Sequence, residues 1–298
     1  METIGFVGLG HMGGHMAARY LQAGYTVHGE DRVREQAQWL IDQGLHWADT
    51  PHAVAKAADI VMTSLPNDDV VNSVASGLDG IIAGLGAGKL WADLSTISPS
   101  TSRELAARVR DHGRGAQMLD TPVSGSVPQV ETGRLTLMVG GDEKAFTRLK
   151  PVLRVLGTPV HVGDNGQGLV LKLAINISLF VQMDAFSEGL LLAQREGVDP
   201  HLAAKVMSES AIGSPTIKAR VPLVLDRPDE TWFDMAMMHK DIRLALATAR
   251  EQNLQLPSAA LADQLLTEAT GRGYEHRDIA SIYSMLGQTG AVGATSRG

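Results

Sequence analysis

The spacing of short apolar runs limits the folds open to this chain more than any other feature. Through the first half they alternate with helical periods. IGFVG leads into an Ala-rich helical segment through Leu21, and YTVHGE reads as a second strand. Later runs are DIVMTSL (59–65), KLWADLS (89–95), AQMLDTPV (116–123) and RLTLMVGG (134–141), with glycines, prolines or charged helical stretches between them. Such alternation predicts a mainly parallel, doubly wound sheet with helices on both faces. Near Gly163 the texture changes. Beyond it the pattern is helical: Ile242, Ala245, Leu246 and Ala249 repeat at helical spacing, as do Leu261, Leu265 and Leu266. The expected architecture is α/β, with residues 1–163 as the sheet domain and 164–298 as an all-α domain. A long helix is expected to join them, and the final GQTGAVGATSRG to fray.

Composition removes several functional classes. The 298 residues, 44% hydrophobic and 20% charged, suffice for two globular domains and do not describe a disordered chain. A net charge of -7 without a Lys/Arg-rich run argues against a nucleic-acid partner. The absence of Cys rules out disulfides and thiolate metal sites, and suits a reducing compartment. The histidines do not converge, and neither an HExxH pattern nor a carboxylate cluster appears, so no metal is expected. METIGFVGLGHMG enters a strand almost at once, without a basic leader and apolar core, which argues against secretion. The longest apolar run, around 169–180, is broken by Lys172, Asn176 and Ser178 and followed by Gln182 and Asp184. A membrane span is therefore not expected, and a cytoplasmic location is.

Gly8-Leu9-Gly10-His11-Met12-Gly13 fits the dinucleotide fingerprint G-x-G-x-x-G. The short pattern is weak alone, but here it follows a strand and opens a helix containing Met16, Ala17, Ala18 and Leu21. Gly8 would permit the tight turn, Gly10 would let backbone N–H groups approach a pyrophosphate, and Gly13 would let helix and strand pack closely. His11 lies within reach of the pyrophosphate, with its side chain expected to face solvent. The second strand should end in a residue that reads the adenosine ribose, and Glu30-Asp31-Arg32 stands there. A carboxylate at Asp31 would accept from the ribose hydroxyls and repel a 2′-phosphate, which predicts NAD rather than NADP. Arg32 leaves two readings open, since a guanidinium can clamp that phosphate or stack on adenine.

GQGLVLKLAINISLF (166–180) reads as the start of a long buried helix carrying an ammonium and an amide four residues apart. The neighbours of Lys172 and Asn176 are apolar: Leu169, Val170, Leu171, Leu173, Ala174, Ile175, Ile177 and Leu179. Positions i and i+4 share a helix face, so the two side chains point into one space. By itself the pattern fits either a structural Lys–Asn pair bonded to carbonyls or a proton-transferring lysine with an orienting amide.

Four blocks in order carry a resemblance: GLGHMG (8–13), DTPVSGS (120–126), GDNGQGLVLKLAIN (163–176) and KDIRLA (240–245). With them the chain resembles the β-hydroxyacid dehydrogenases, the 3-hydroxyisobutyrate dehydrogenase-like family, from Ile4 to about Leu286. The resemblance implies a Rossmann domain, an all-helical second domain, dimers or tetramers, and NAD(P)-dependent interconversion of a small β-hydroxy acid and its semialdehyde or oxo acid. It places Lys172 in the cleft between the domains as general acid and base, with Asn176 orienting it and bonding the substrate. A lysine so placed stabilises negative charge growing on the carbonyl oxygen, and burial lowers its pKa toward the working range.

Ser124 and Gly125 are implied to bind the substrate carboxylate. Pro122 and Gly125 suit a turn after a strand, and a hydroxyl beside approachable amides can hold an acid group. Ser126 stands where the family more often has a second Gly, a departure expected to narrow the pocket or add a donor. Thr96 is implied to lie near nicotinamide and substrate, and Lys240 to contact cofactor or substrate rather than form an ordinary surface pair with Asp241. Ile242 departs from the usual KDL. Phe233 resembles an aromatic that closes the site, against the plainer role of an apolar helix residue. Leu65 and Pro66 are read as touching the adenosine side or simply stopping a strand. Met235, Met237 and Met238 are read as helix packing. Three rivals share the pattern. Imine reductases generally replace the catalytic lysine, 6-phosphogluconate dehydrogenases are longer and need basic residues for a sugar phosphate, and a non-catalytic binding module would not be expected to retain Lys172 and Asn176.

Overall fold

The computed structural model describes residues 1–112 and 114–289. The chain divides into two compact units, Met1–Lys172 and Leu173–Gly298.

The first unit opens with β1 (Ile4–Val7), α1 (His11–Gln22), β2 (Val27–Glu30), α2 (Gln38–Ile41), β3 (His46–Trp47) and α3 (Pro51–Ala57). It continues through β4 (Ile60–Thr63), α4 (Asp68–Ala75), α5 (Ile81–Gly84), β5 (Leu90–Asp93), α6 (Pro99–Asp111) and β6 (Gln117–Asp120). It ends with β7 (Val123–Ser124), α7 (Val127–Glu131), β8 (Leu135–Gly140), α8 (Glu143–Leu153) and β9 (Gly157–Gly163). Every residue of β1, β4 and β5 is buried, as expected of parallel strands covered on both faces. Two apolar clusters provide that cover. One joins Phe6, Ile60 and Met62 to Met16, Tyr20 and Leu149; the other joins Val7, Val61 and Trp91 to Val54, Leu105 and Val109.

The strand order is β3-β2-β1-β4-β5-β6-β8-β7, with β9 also paired to β8. The pairs from β3 through β6 are parallel, while β8 runs antiparallel to β6 and β7. The expected doubly wound sheet is present. Its register brings Glu30, Val7, Thr63, Asp93 and Asp120 into one row at the carboxyl ends of the strands, the edge where ligands bind such sheets. The short β3 and the long β9 did not stand out in the sequence. AQMLDTPV is not one strand: β6 stops at Asp120, and Pro122, which has no N–H for a ladder, accepts from the Met138 N–H (3.0 Å) before β7 begins.

Asp93 is fully buried in that row. Its Oδ1 accepts from the Thr63 hydroxyl (2.6 Å) and the Ser95 N–H (3.1 Å), while its Oδ2 has no hydrogen-bond partner. Burial pushes its carboxyl up to about 6 against those hydrogen bonds. An acid whose pKa is raised by folding stabilises the fold below its unfolded value, and that contribution is lost as pH rises through the folded value. Asp93→Asn should therefore gain about 2–3 kcal/mol of stability relative to the unmodified protein between pH 4 and pH 8. Paired denaturant titrations across that range check it; a difference that does not change with pH would contradict it.

The second unit is helical among the described residues: α9 (Gln167–Arg195), whose first turns belong to the first unit, then α10 (Pro200–Glu209), α11 (Pro215–Leu225), α12 (Met235–Glu251), α13 (Pro257–Gly271) and α14 (Ile282–Thr289). Phe180, Met183, Leu190, Met235, Met238, Ile242 and Leu266 form its core. Met237 is half-buried, so the methionines pack as expected, whereas Leu261 is exposed. Gly287–Thr289 of the expected frayed tail are helical, and the rest of that stretch lies outside the described residues.

Two expectations about α9 need correction. Its opening is not buried all round: Leu169 and Leu173 are buried, Lys172 is half-buried, and Val170 and Leu171 are 44% and 41% exposed. Nor do its polar interruptions exclude a membrane span, since by length and mean hydropathy (1.6) it is long and apolar enough to cross one. The observation against a span is positional: Phe180, Met183 and Leu190 are buried in the core of the second unit.

Candidate active site

In the first unit the glycine loop turns directly from β1 into α1. Gly8 has φ +90°, and a Cβ there would lie 2.5 Å from the Ser64 carbonyl oxygen. A Cβ on Gly13 would lie 2.1 Å from the Gly8 carbonyl oxygen, so the third glycine permits the close strand–helix contact. Gly10 differs from both, because a Cβ there meets nothing within 4 Å. Gly10 and His11 are exposed at the start of α1, where the first N–H groups lack intrahelical partners, and Leu9 and Met12 pack into the core. An open cradle of unpaired N–H groups at a helix N-terminus fits a dinucleotide pyrophosphate. Gly13→Ala should weaken binding of the reduced dinucleotide by roughly tenfold or more, since the overlap forces loop and helix apart. Fluorescence titration measures this, and an unchanged affinity would show that the turn has slack.

Asp31 lies beside that loop. Its Oδ2 accepts from the Leu9 N–H (2.7 Å) and its Oδ1 from the Val33 N–H (3.0 Å). The carboxylate thus braces the glycine loop, and each oxygen keeps a further lone pair for a ribose hydroxyl. Arg32 is exposed. Glu30 is pushed up to about 7 by burial and by the neighbouring Asp31 charge, so it adds little negative charge there below neutrality.

The next loops are tied together. Ser95 Oγ accepts from the Leu65 N–H (2.9 Å), joining the turn after β4 to the turn after β5 that carries half-buried Thr96. Leu65 is half-buried and Pro66 exposed.

In the DTPVSGS segment Ser124 is half-buried in β7, and Gly125 has φ +129° with a Cβ position 2.7 Å from Leu135 Cδ2. Ser126 finds a partner within its own segment. Gln129 Oε1 accepts from both its N–H and its hydroxyl (each 2.9 Å), so the extra donor is used in capping α7. The glycines before Lys172 also have local reasons. Gly163 and Gly166 have φ +131° and +90°, and a Cβ on Gly168 would lie 2.7 Å from Asp120 Oδ2.

The second unit holds another constellation. Asn176 is buried, and its Nδ2 donates to Asp241 Oδ2 at 2.6 Å. Lys240 Nζ lies 3.0 Å from the other oxygen of Asp241, which is only 2% exposed, so this is not an ordinary surface pair. An ionised carboxylate only accepts, so Asp241 fixes the amide with its NH2 toward the acid. Asn176 Oδ1 is buried and has no hydrogen-bond partner. Asp241 was missed in the sequence; the signal was a carboxylate adjacent to Lys240 on a face that α12 buries. Half-buried Phe233 packs against the second unit's core, and both its N–H and that of Trp232 donate to buried Asp278 Oδ2 (2.9 and 2.8 Å).

Comparison with known proteins matches this arrangement. The family model for the NAD binding domain of 6-phosphogluconate dehydrogenase matches residues 3–163. That for the NAD-binding domain of NADP-dependent 3-hydroxyisobutyrate dehydrogenase matches residues 166–286. The chain is 33% identical to 2-(hydroxymethyl)glutarate dehydrogenase of Eubacterium barkeri, over 97% of this chain and 96% of that protein. It is 34% identical to 3-hydroxyisobutyrate dehydrogenase of Pseudomonas aeruginosa, over 96% and 98%. The solved structure of Mycobacterium tuberculosis 3-hydroxyisobutyrate dehydrogenase with L-serine superimposes with a TM-score of 0.87 at 28% identity, covering 96% of this chain and 99% of that one. An imine reductase from Myxococcus stipitatus, at 24% identity and a TM-score of 0.65, shares the fold alone. The chain belongs to the β-hydroxyacid dehydrogenase family and is an NAD(P)-dependent oxidoreductase.

Proposed function

We propose that the protein interconverts a small 3-hydroxy acid and its semialdehyde, with Lys172 as general acid and base and NAD as the preferred dinucleotide. The observation supporting the catalytic part is the fixed amide of Asn176. One helical turn beyond Lys172, it keeps a buried oxygen with acceptor capacity on the face where the ammonium lies. An acceptor there orients a proton donor. Gly8–Gly13 and Asp31 would hold the dinucleotide, which when bound would supply the hydride in reduction and take it up in oxidation. In reduction Lys172 gives a proton to the oxygen on which negative charge grows; in oxidation its neutral amine removes the hydroxyl proton. Ser124 and Gly125 hold the carboxylate, and Thr96 lines the same reacting region. Lys240 is assigned to cofactor or substrate and Phe233 to closing the site, as the resemblance implies.

The names of the relatives point to small hydroxy acids and semialdehydes, glyoxylate and succinic semialdehyde among them, and three share a further feature. 3-Hydroxyisobutyrate, L-serine and 2-(hydroxymethyl)glutarate are all 3-hydroxypropanoates that differ at carbon 2. A panel of 3-hydroxypropanoates varied at that carbon, assayed with NAD and NADP in turn, tests the reading. NAD is expected to give the larger kcat/KM, because Asp31 opposes a 2′-phosphate; a preference for NADP would assign Arg32 the deciding part. Ser124→Ala should raise KM for the acid by roughly tenfold, with a smaller change in kcat, as loss of one hydrogen bond to a charged group predicts. An unchanged KM would remove Ser124 from the carboxylate site. A cytoplasmic location and self-association complete the proposal. Leu192 on α9 and Leu202 and Val206 on α10 are exposed (67%, 55% and 60%), apolar side chains that a second copy would cover, and sedimentation equilibrium tests it.

A further inference from the structure

Asp120 has none of the roles assigned so far, yet it is one of the most completely enclosed acids in the chain, with no exposed surface. It ends β6, and four residues later the same segment reaches Ser124. Its Oδ1 accepts from the Gly166 N–H at 2.6 Å and its Oδ2 from the Leu169 N–H at 3.1 Å, with the Gly168 N–H also directed to it. These donors belong to the opening of α9, where the first turn leaves its N–H groups unsatisfied, and a negative charge there suits the helix dipole.

The seat is built for this carboxylate. A Cβ on Gly140 or on Gly168 would lie 2.7 Å from its oxygens. A helix needing only a cap takes one from the residue just before it. Here that residue is Gly166, which has no side chain to offer, and Asn165 before it donates its amide to the Met118 carbonyl (2.9 Å), so a second bond ties the helix start to β6. Burying an acid 46 residues distant in sequence is a costly way to cap a helix, but an effective way to fix its rotation and height against a strand. Leu169 and Lys172 are three residues apart and share a face, so holding the Leu169 N–H also sets where the Lys172 stem leaves the helix.

We propose that Asp120 is a positioning residue for proton transfer, fixing the first turn of α9, and with it Lys172, to the strand that leads into the Ser124–Gly125 loop. The proposal rests on the reading of Lys172 as proton donor.

Asp120→Asn, which turns one acceptor into a donor facing a backbone N–H, and Lys172→Ala are to be assayed side by side, well below each variant's Tm. Asp120→Ser, whose smaller side chain leaves room for a water, serves if the first variant does not fold. The expected result is a kcat lowered roughly 10- to 100-fold with NADH affinity retained, and a displaced pH profile of kcat, because the ammonium sits in altered surroundings. If Lys172→Ala is inactive while the Asp120 variants keep the kcat and pH profile of the unmodified protein, Asp120 only supports the fold and the proposal is wrong. If Lys172→Ala itself keeps near-normal kcat, the acid–base reading fails and the Asp120 proposal falls with it.

Discussion

Lys172→Ala is expected to lower kcat by roughly a thousandfold, the scale on which a positioned general acid contributes, while NADH still binds. The two effects separate because the lysine and the dinucleotide cradle use different elements: Lys172 stands on α9, whereas the cradle is the turn from β1 into α1. Alanine keeps the helix and removes the side chain beyond Cβ, far along the chain from the glycine loop, so fluorescence titration should find NADH affinity close to that of the unmodified protein. Turnover then depends on water, which has neither the acidity nor the fixed position of the lost group. Near-normal kcat in this variant would show that another group protonates the substrate oxygen.

Asp241→Ala carries the second-largest expected effect, a fall in kcat of roughly 100-fold. The carboxylate is 2% exposed and has two partners, the Asn176 amide at 2.6 Å and the Lys240 ammonium at 3.0 Å. Its removal leaves a buried amide free to rotate and a half-buried ammonium without its acid, a combination that costs more than the loss of one hydrogen bond. Asp241→Asn should retain more activity, since its carbonyl oxygen still accepts from Asn176. Equal losses in both variants would indicate that the charge opposite Lys240 matters and the amide orientation does not.

The two units differed in how readily they could be read. Strands whose every residue is buried, such as Ile4–Val7 and Ile60–Thr63, announce themselves as continuous apolar runs. The glycine loop is legible because backbone geometry allows few substitutes at Gly8 and Gly13. β3 was hidden because two residues make no pattern, and β9 because only some of its side chains are buried. The partner of Ser126 was hidden for a related reason. A hydroxyl in a loop looks available until the helix after it is seen to place Gln129 within reach.

The sequence by itself determined the alternation of buried strands with helices in the first unit, the dinucleotide turn and the spacing of Lys172 and Asn176, since each depends on residues close together in the chain. Only the tertiary structure decided which acids serve those groups. Asp31 reaches the Leu9 N–H, Asp120 reaches the first turn of α9, and Asp241 reaches Asn176 across 22, 46 and 65 residues respectively. The physical reason is that a hydrogen bond acts over about 3 Å of space, and only the folded chain brings such distant residues that close.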